Sequence, residues 1–338
     1  MNSSFLNFYN LSFLIFLGES LVLNKSLISI FCAISACFCF SLNDVMMKAF
    51  SSNYPLYELT FFRSMVAIVI CLTVLIPLEG GIKILKTKNP GIHFFRGSCV
   101  VVANIAFFAG IAVLPLAEAT AIFFISPILI TFFSIIFLKE QVGLLRWSAL
   151  IFGLIGVILV IKPFGASFRW EIIFPLTAAL AYSSLQILTR YLGVNEKAAT
   201  MAFYIQISFM IYMGLFSFLF QDGSFDTVNH PSFQFFFKGW VWPDKNDFLI
   251  IFFIGVFNAF GGYLISQAYR LSFAGLVAPF EYSALVFSIF WGIIILDEFL
   301  NLLSIIGILI ILVSGVLIAV RESIKDRPLS LKKILDRR

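Results

Sequence analysis

Asp44 and Glu281 are the residues whose type and place point most directly to chemistry, because both stand inside long apolar stretches of this 338-residue chain. An ionisable residue at mid-bilayer costs about 2.5–3.5 kcal/mol on insertion scales, so it turns toward a bundle interior or a watery path. Asn43 precedes Asp44, and Lys48 follows it at i+4 on the same helical face, with the acid on the favourable N-terminal side. The sequence leaves two readings open: an ion pair that lowers the insertion cost of both charges, or a substrate or proton site to which Asn43 adds a donor and an acceptor. Glu281 adjoins Tyr282 and follows Pro279 by two residues. Proline inside a helix removes a backbone donor and frees the carbonyl four residues back, so a kink there turns polar backbone toward a cavity. A binding site at Glu281 competes with a carboxyl that merely bonds to a neighbouring helix. Burial penalises a carboxyl's charged form, so Asp44 or Glu281 could also take up a coupling proton.

Neutral groups extend this constellation. Tyr182, Gln186 and Arg190 make an i, i+4, i+8 stripe, and Tyr263 and Gln267 share one face of a later stretch. They suit hydrogen bonds to a substrate or bonds between helices, the latter worth about 0.6 kcal/mol each. The expected substrate site is thus Asn43, Asp44, Lys48, Tyr182, Gln186, Tyr263, Gln267, Glu281 and Tyr282, with Asp44 and Glu281 as proton-coupling candidates. Glu58 and Arg63 open the second stretch and read as structural, Arg63 being long enough to snorkel to the headgroups. Enzyme chemistry finds little footing. His93 and His230 fall in expected loops on opposite sides, Cys37 and Cys39 point to nearly opposite helix faces, and no Gly-x-x-x-x-Gly-Lys-Ser/Thr loop is present to hold ATP phosphates. The expectation is no metal, no cofactor and no nucleic acid; the partners are a small-molecule substrate and membrane lipids, with oligomeric state undetermined.

The elements that position these residues follow from composition. Hydrophobic residues make up 61% of the chain and charged residues 12%, against roughly 25% charged in a soluble domain, and mean hydropathy is +1.01. Spanning the hydrocarbon takes roughly 20 apolar residues. Ten stretches qualify, at about 27–50, 58–78, 94–114, 116–138, 145–162, 170–191, 198–220, 248–270, 273–296 and 300–320. They fall into two sets of five, 27–162 and 170–320, flanked by an N-terminal extension (1–26) and a basic tail (321–338). The expected fold is an all-α integral membrane protein of two repeats. An offset of 158 aligns Phe137-Leu-Lys-Glu140 with Ile295-Leu-Asp-Glu298, and an offset of 142 aligns Lys48 with Arg190. Because five is odd, the repeats must be inverted relative to one another. With the N-terminus inside, all of the 23 Lys and Arg residues except Lys48, Arg63, Lys162, Arg169, Lys238 and Lys245 fall on the cytoplasmic side. Both termini are therefore expected in the cytoplasm of an inner-membrane protein. The run Leu11 to Leu23 is short for a span and lacks the marks of a secretory signal, so it reads as an interfacial extension, with an upstream mis-start or an eleventh helix as alternatives. The long connection from Gln221 to Asp247 reads as a surface flap, with Trp240 and Trp242 at the headgroups.

The runs Phe40 to Lys48, Glu58 to Arg63, His93 to Gly97, Leu114 to Ala121, Ser126-Pro127, Leu138 to Glu140 and Leu296 to Glu298 resemble the ten-helix drug/metabolite transporter superfamily, in its EamA-type branch, over roughly 27–320. The resemblance implies a secondary carrier working by alternating access. Pro77 to Gly81, Leu116 to Phe124 and Gly143 to Trp147 are similar to proteobacterial riboflavin transporters, and Asn43 to Met46 to rickettsial S-adenosylmethionine carriers. Riboflavin uptake is the leading expectation, uptake of S-adenosylmethionine or another cationic metabolite its rival, and export of amino acids or drugs third. One departure is Leu285, which stands where the first half has Pro127, so the halves need not hinge alike. A non-transporting scaffold, receptor or scramblase is the reading of a different class; the soluble docking module it would want is absent from the sequence.

Overall fold

The computed structural model describes residues 3–139, 144–161, 169–223 and 230–325; Glu140, Gly143, Lys162 and the tail from 326 onward lie outside them. No strand occurs among the described residues, and each apolar stretch is a helix. In chain order these are α1 (Ser3–Ala49), α2 (Leu56–Glu79), α3 (Pro90–Ile111), α4 (Leu116–Leu138), α5 (Leu144–Ile161), α6 (Trp170–Leu192), α7 (Ala198–Phe220), α8 (Asp247–Leu271), α9 (residues 274–296) and α10 (Leu302–Lys325). Seven described helices are long and apolar enough to cross a membrane, α1 through its segment Leu27–Ala49, and shorter apolar helices accompany them. The N-terminal extension is not set apart from the first span. Its backbone continues α1 unbroken from Ser3, since Gly18 alone costs a helix only about 1 kcal/mol.

Two helices are broken, and they break alike. α4 runs Leu116–Phe123 and resumes at Ser126, with Pro127 in its first turn; α9 passes through a tight turn at Ala278–Tyr282, containing Pro279, before Ser283–Leu296. The second half lacks a counterpart of Pro127 yet still breaks, because Pro279 removes a backbone donor a little earlier. Phe124 and Tyr282, 158 positions apart, mark the two breaks and touch each other with ring centroids 5.2 Å apart. Both helices end on a left-handed residue, Lys139 (φ 54°) and Asp297 (φ 53°), whose amides bond to Ser134 and Gly292. These residues, too, pair at 158. Two non-glycine residues accepting the same strained conformation at equivalent positions mark one local architecture used twice.

The packing has the same symmetry. α1 packs against α8 and α9, as α6 packs against α3 and α4, while α2 packs on α7 and α5 on α10. Exchanging the first five helices for the last five leaves this map unchanged. Close approach is repeated as well. A Cβ on Gly97 of α3 would lie 2.5 Å from Ser208 Cβ of α7, and one on Gly255 of α8 would lie 2.5 Å from Val66 Cβ of α2. Small residues let helices approach in lipid, where no hydrophobic drive holds them together. Gly97→Ala should therefore cost about 1–3 kcal/mol by overpacking. We expect a lower melting temperature in detergent, partly restored by adding Ser208→Gly; a melting curve like the parent's for Gly97→Ala alone would contradict this contact.

Candidate functional site

A cavity of about 160 Å³ lies at the centre of the bundle, walled by α1, α3, α4, α6, α7, α8 and α9. Its frame is two-fold but its chemistry is not. At the offsets of the repeats, Asp44 pairs with Gln186, Phe40 with Tyr182, Phe123 with Glu281 and Asn104 with Gly262, and all eight line the cavity.

One polar layer surrounds Arg63 of α2, which is 0% exposed. It does not snorkel. Its Nη1 donates to Asn43 Oδ1 (3.1 Å) and its Nη2 to Asn104 Oδ1 (2.8 Å), and the guanidinium lies 5.1 Å from the Phe209 ring centroid and 5.6 Å from that of Phe108. Two amide acceptors within reach make the inward rotamer cheaper than the long path to the headgroups. Asn43 Nδ2 in turn donates to Asp44 Oδ1 at 2.9 Å. The second layer surrounds Glu281, 3% exposed, whose Oε2 accepts from the Tyr182 hydroxyl (2.9 Å) and whose Oε1 accepts from the Tyr269 hydroxyl. Cys37 of α1 donates to the Glu281 backbone carbonyl at 3.6 Å. Gln186, 1% exposed, has no hydrogen-bond partner for its Nε2 among the described residues.

Of the expected site residues, Asn43, Asp44, Tyr182, Gln186 and Glu281 come together here. Lys48, Tyr263, Gln267 and Tyr282 do not line the cavity. Lys48 makes no pair with Asp44; a turn further along α1 it meets Glu298 Oε1 (2.6 Å) and the Leu114 carbonyl (2.7 Å), while Glu298 Oε2 accepts the Leu116 amide (2.8 Å). Tyr263 donates to Glu79 (3.2 Å), Gln267 accepts from Arg270 (3.1 Å), and Tyr282 is packed against Phe124. Asn258, a neutral group of the same stretch as Tyr263 and Gln267 and read with them as able to bond a substrate, does line the cavity and donates to Gln206 at 3.1 Å, while Asn104 and Gln206 line it without having been singled out. Their only signal in the sequence is an amide inside an apolar run. His93 lies within α3 rather than in a loop, 2% exposed, stacked on Tyr204 with centroids 4.4 Å apart. The described part of the connection between α7 and α8, residues 221–223 and 230–246, is pinned to the bundle. It contains a short helix, Pro231–Phe237; Val241 N–H bonds Glu58 (3.0 Å), Trp240 packs on Phe62, and the Tyr54 hydroxyl bonds Asp247 (2.6 Å). Burial pushes the Tyr54 phenol above its usual range, and the Asp247 carboxylate adds to that. Trp242 remains 72% exposed.

Residues 27–162 match the EamA-like transporter family. The chain is also 31% identical over 306 residues to an uncharacterized transporter of Helicobacter pylori, a match covering 88% of this chain and 94% of that relative. It belongs to the EamA-like transporter family. The S-adenosylmethionine uptake transporter of Rickettsia prowazekii is 24% identical to this EamA-like transporter over 282 residues, covering 83% and 89% of the two chains. The pseudopaline exporter of Pseudomonas aeruginosa is 24% identical over 290 residues, covering 83% and 92%. A solved structure described only as a protein crystal structure superposes with a TM-score of 0.65 at 17% identity over 90% of this chain and 99% of its own, a likeness of fold alone. This EamA-like transporter is thus an all-α, multi-span membrane protein of a bacterial transporter family whose members handle small molecules.

Removing the buried guanidinium tests the first layer. Arg63→Met leaves two amide oxygens facing a desolvated gap, and Arg63→Lys cannot serve both with one compact ammonium. Both should lower stability, Arg63→Met by about 1–3 kcal/mol for each amide oxygen left without a donor. Thermal unfolding in detergent checks this, and an unchanged melting temperature in Arg63→Met would contradict the geometry.

Proposed function

We propose that this transporter takes up a small organic cation of the S-adenosylmethionine type by alternating access between its inverted halves, with Asp44 and Glu281 as anionic sites in the central cavity. The observation that carries this reading is that both carboxyls line the cavity and, among the described residues, neither has a Lys, Arg or His within ion-pair distance. A desolvated carboxylate with no cation in direct contact favours either a cationic group or a proton, and Asp44 meets Arg63 only through Asn43. The two acids divide these roles. Glu281, buried away from any cation and with no oxygen left free for a ligand, is the candidate for the coupling proton; Asp44 has one oxygen engaged and suits the ligand's charge. Phenylalanine rings around the cavity, Phe40, Phe107 and Phe123 among them, suit cation–π contact and a flat base, and the spare Gln186 amide suits the edge of an adenine. The name of the rickettsial relative supports the same ligand.

Riboflavin stands second. Its neutral ring system gives two unpaired acids no role, and neither named relative carries that substrate in its name. Orientation is proposed from charge: Lys83, Lys86 and Lys88 sit in the α2–α3 connection, whose Ile84 and Leu85 carbonyls bond Thr200 and Tyr204 of α7, so these basic residues gather with Lys197 at one end. That end is cytoplasmic by the positive-inside rule, with both termini on the same side in the inner membrane.

The purified chain in proteoliposomes should show saturable uptake of labelled S-adenosylmethionine, competed weakly by S-adenosylhomocysteine, which lacks the sulfonium charge. Asp44→Asn should raise the half-saturation concentration roughly 10- to 100-fold, the equivalent of a charged hydrogen bond worth about 1.5–3 kcal/mol. Glu281→Gln should abolish the response to an imposed pH gradient while exchange persists. Riboflavin flux in the absence of S-adenosylmethionine flux would overturn the assignment.

A further inference from the structure

Arg63 settles the polarity of its surroundings, because a guanidinium only donates. Asn43 and Asn104 must each present an oxygen to it and turn their NH2 groups away. Asn43 directs its own to Asp44 Oδ1, leaving Asp44 Oδ2 to the cavity. Asn104 Nδ2 has no partner among the described residues, and Asn104 lines the same cavity. One layer of the wall therefore offers a carboxylate oxygen and, close by, an amide donor backed by a buried cation.

We propose that this layer is the subsite for an α-amino-acid head group, its ammonium on Asp44 and its carboxylate on Asn104, with Arg63 as the positioning residue that sets both. The inference rests on the reading that this cavity holds the transported solute, and it narrows that solute's class. The layer carries one fixed positive and one fixed negative charge, so a bare cation would meet Arg63's repulsion as well as Asp44's attraction. A zwitterion meets an opposite charge at each end and brings no net charge into the bundle. The rest of an elongated molecule has somewhere to go. Cys37 touches Glu281, and Asp44 lies seven residues, two turns and about 10 Å further along the same face of α1. A head group anchored at Asp44 thus points its remainder toward Glu281 and the unpartnered Gln186 amide.

The test uses the full chain in detergent, with binding measured by calorimetry for S-adenosylmethionine, its decarboxylated form and 5′-methylthioadenosine. Wild type should bind S-adenosylmethionine at least tenfold more tightly than the decarboxylated form, which keeps both cations and lacks only the carboxylate. Asn104→Asp preserves the bond to Arg63 and replaces the donor with an acceptor, so it should erase or invert that preference. Equal wild-type affinity for the two forms, or an Asn104→Asp variant weakened equally toward both, overturns the subsite; uptake of S-adenosylmethionine in that case leaves the functional reading standing. If S-adenosylmethionine fails to bind but free amino acids do, with a carboxylate preference lost in Asn104→Asp, the subsite stands and the choice of substrate falls. Absence of binding by every amino-acid head group tried overturns the subsite.

Discussion

Hydrocarbon offers no hydrogen bonds, so a chain that carries guanidiniums into it must bring their acceptors along. Arg63 and Arg96 are 0% and 1% exposed and are held by neutral groups. Arg63 ties α2 to α1 and α3 within the first half. Arg96 ties α3 to the second half, donating to Thr189 of α6 (2.8 Å), the Met201 carbonyl of α7 (2.8 Å) and Ser266 of α8 (3.3 Å). These contacts fix how far each helix can slide or rotate, because a displaced acceptor leaves a buried charge uncompensated. The cavity between them inherits its shape from that requirement.

Duplication provides the frame and divergence the chemistry. The close glycine contacts, the helix breaks and the left-handed helix ends recur at constant offsets, whereas the side chains facing the cavity do not. Asp44 has become Gln186 in the other half, and Phe123 has become Glu281. A symmetric frame can rock either way around a fixed centre, while asymmetric lining lets that centre hold a ligand in one orientation. At one end, Lys48, Glu298 and the Leu116 amide link α1, the end of α9 and the start of α4, which closes polar groups of three elements on one another.

The helices and five cavity residues were legible in the sequence because a bilayer enforces both span length and the inward turning of polar groups. What failed was pairing across helices. The i+4 rule sees only its own helix, so it matched Lys48 to Asp44 when the stronger partner, Glu298, stood 250 positions away. Tyr263 and Gln267 do share a face, but helical periodicity gives no depth, and their bonds to Glu79 and Arg270 lie outside the cavity. Arg63 looked structural for the wrong reason, since length permits snorkelling without requiring it. Asn104 and Gln206 are lone amides with no pattern to announce them. The riboflavin likeness rested on Pro77 to Gly81, Leu116 to Phe124 and Gly143 to Trp147; among the described residues of these runs Thr120, Phe123 and Phe124 line the cavity, while the Leu116 amide bonds Glu298 in the framework.

The central claim is that the two inverted halves enclose one largely apolar cavity, set with a few polar groups, that is reached from either side. Replacing the five native cysteines and introducing Ser288→Cys, on the cavity wall, allows that to be measured in sealed membrane vesicles of each orientation with a membrane-impermeant maleimide. Labelling from both faces, slowed by the transported solute in each case, is the expected result. Labelling from one face alone, with no protection by any solute the protein carries, would contradict it.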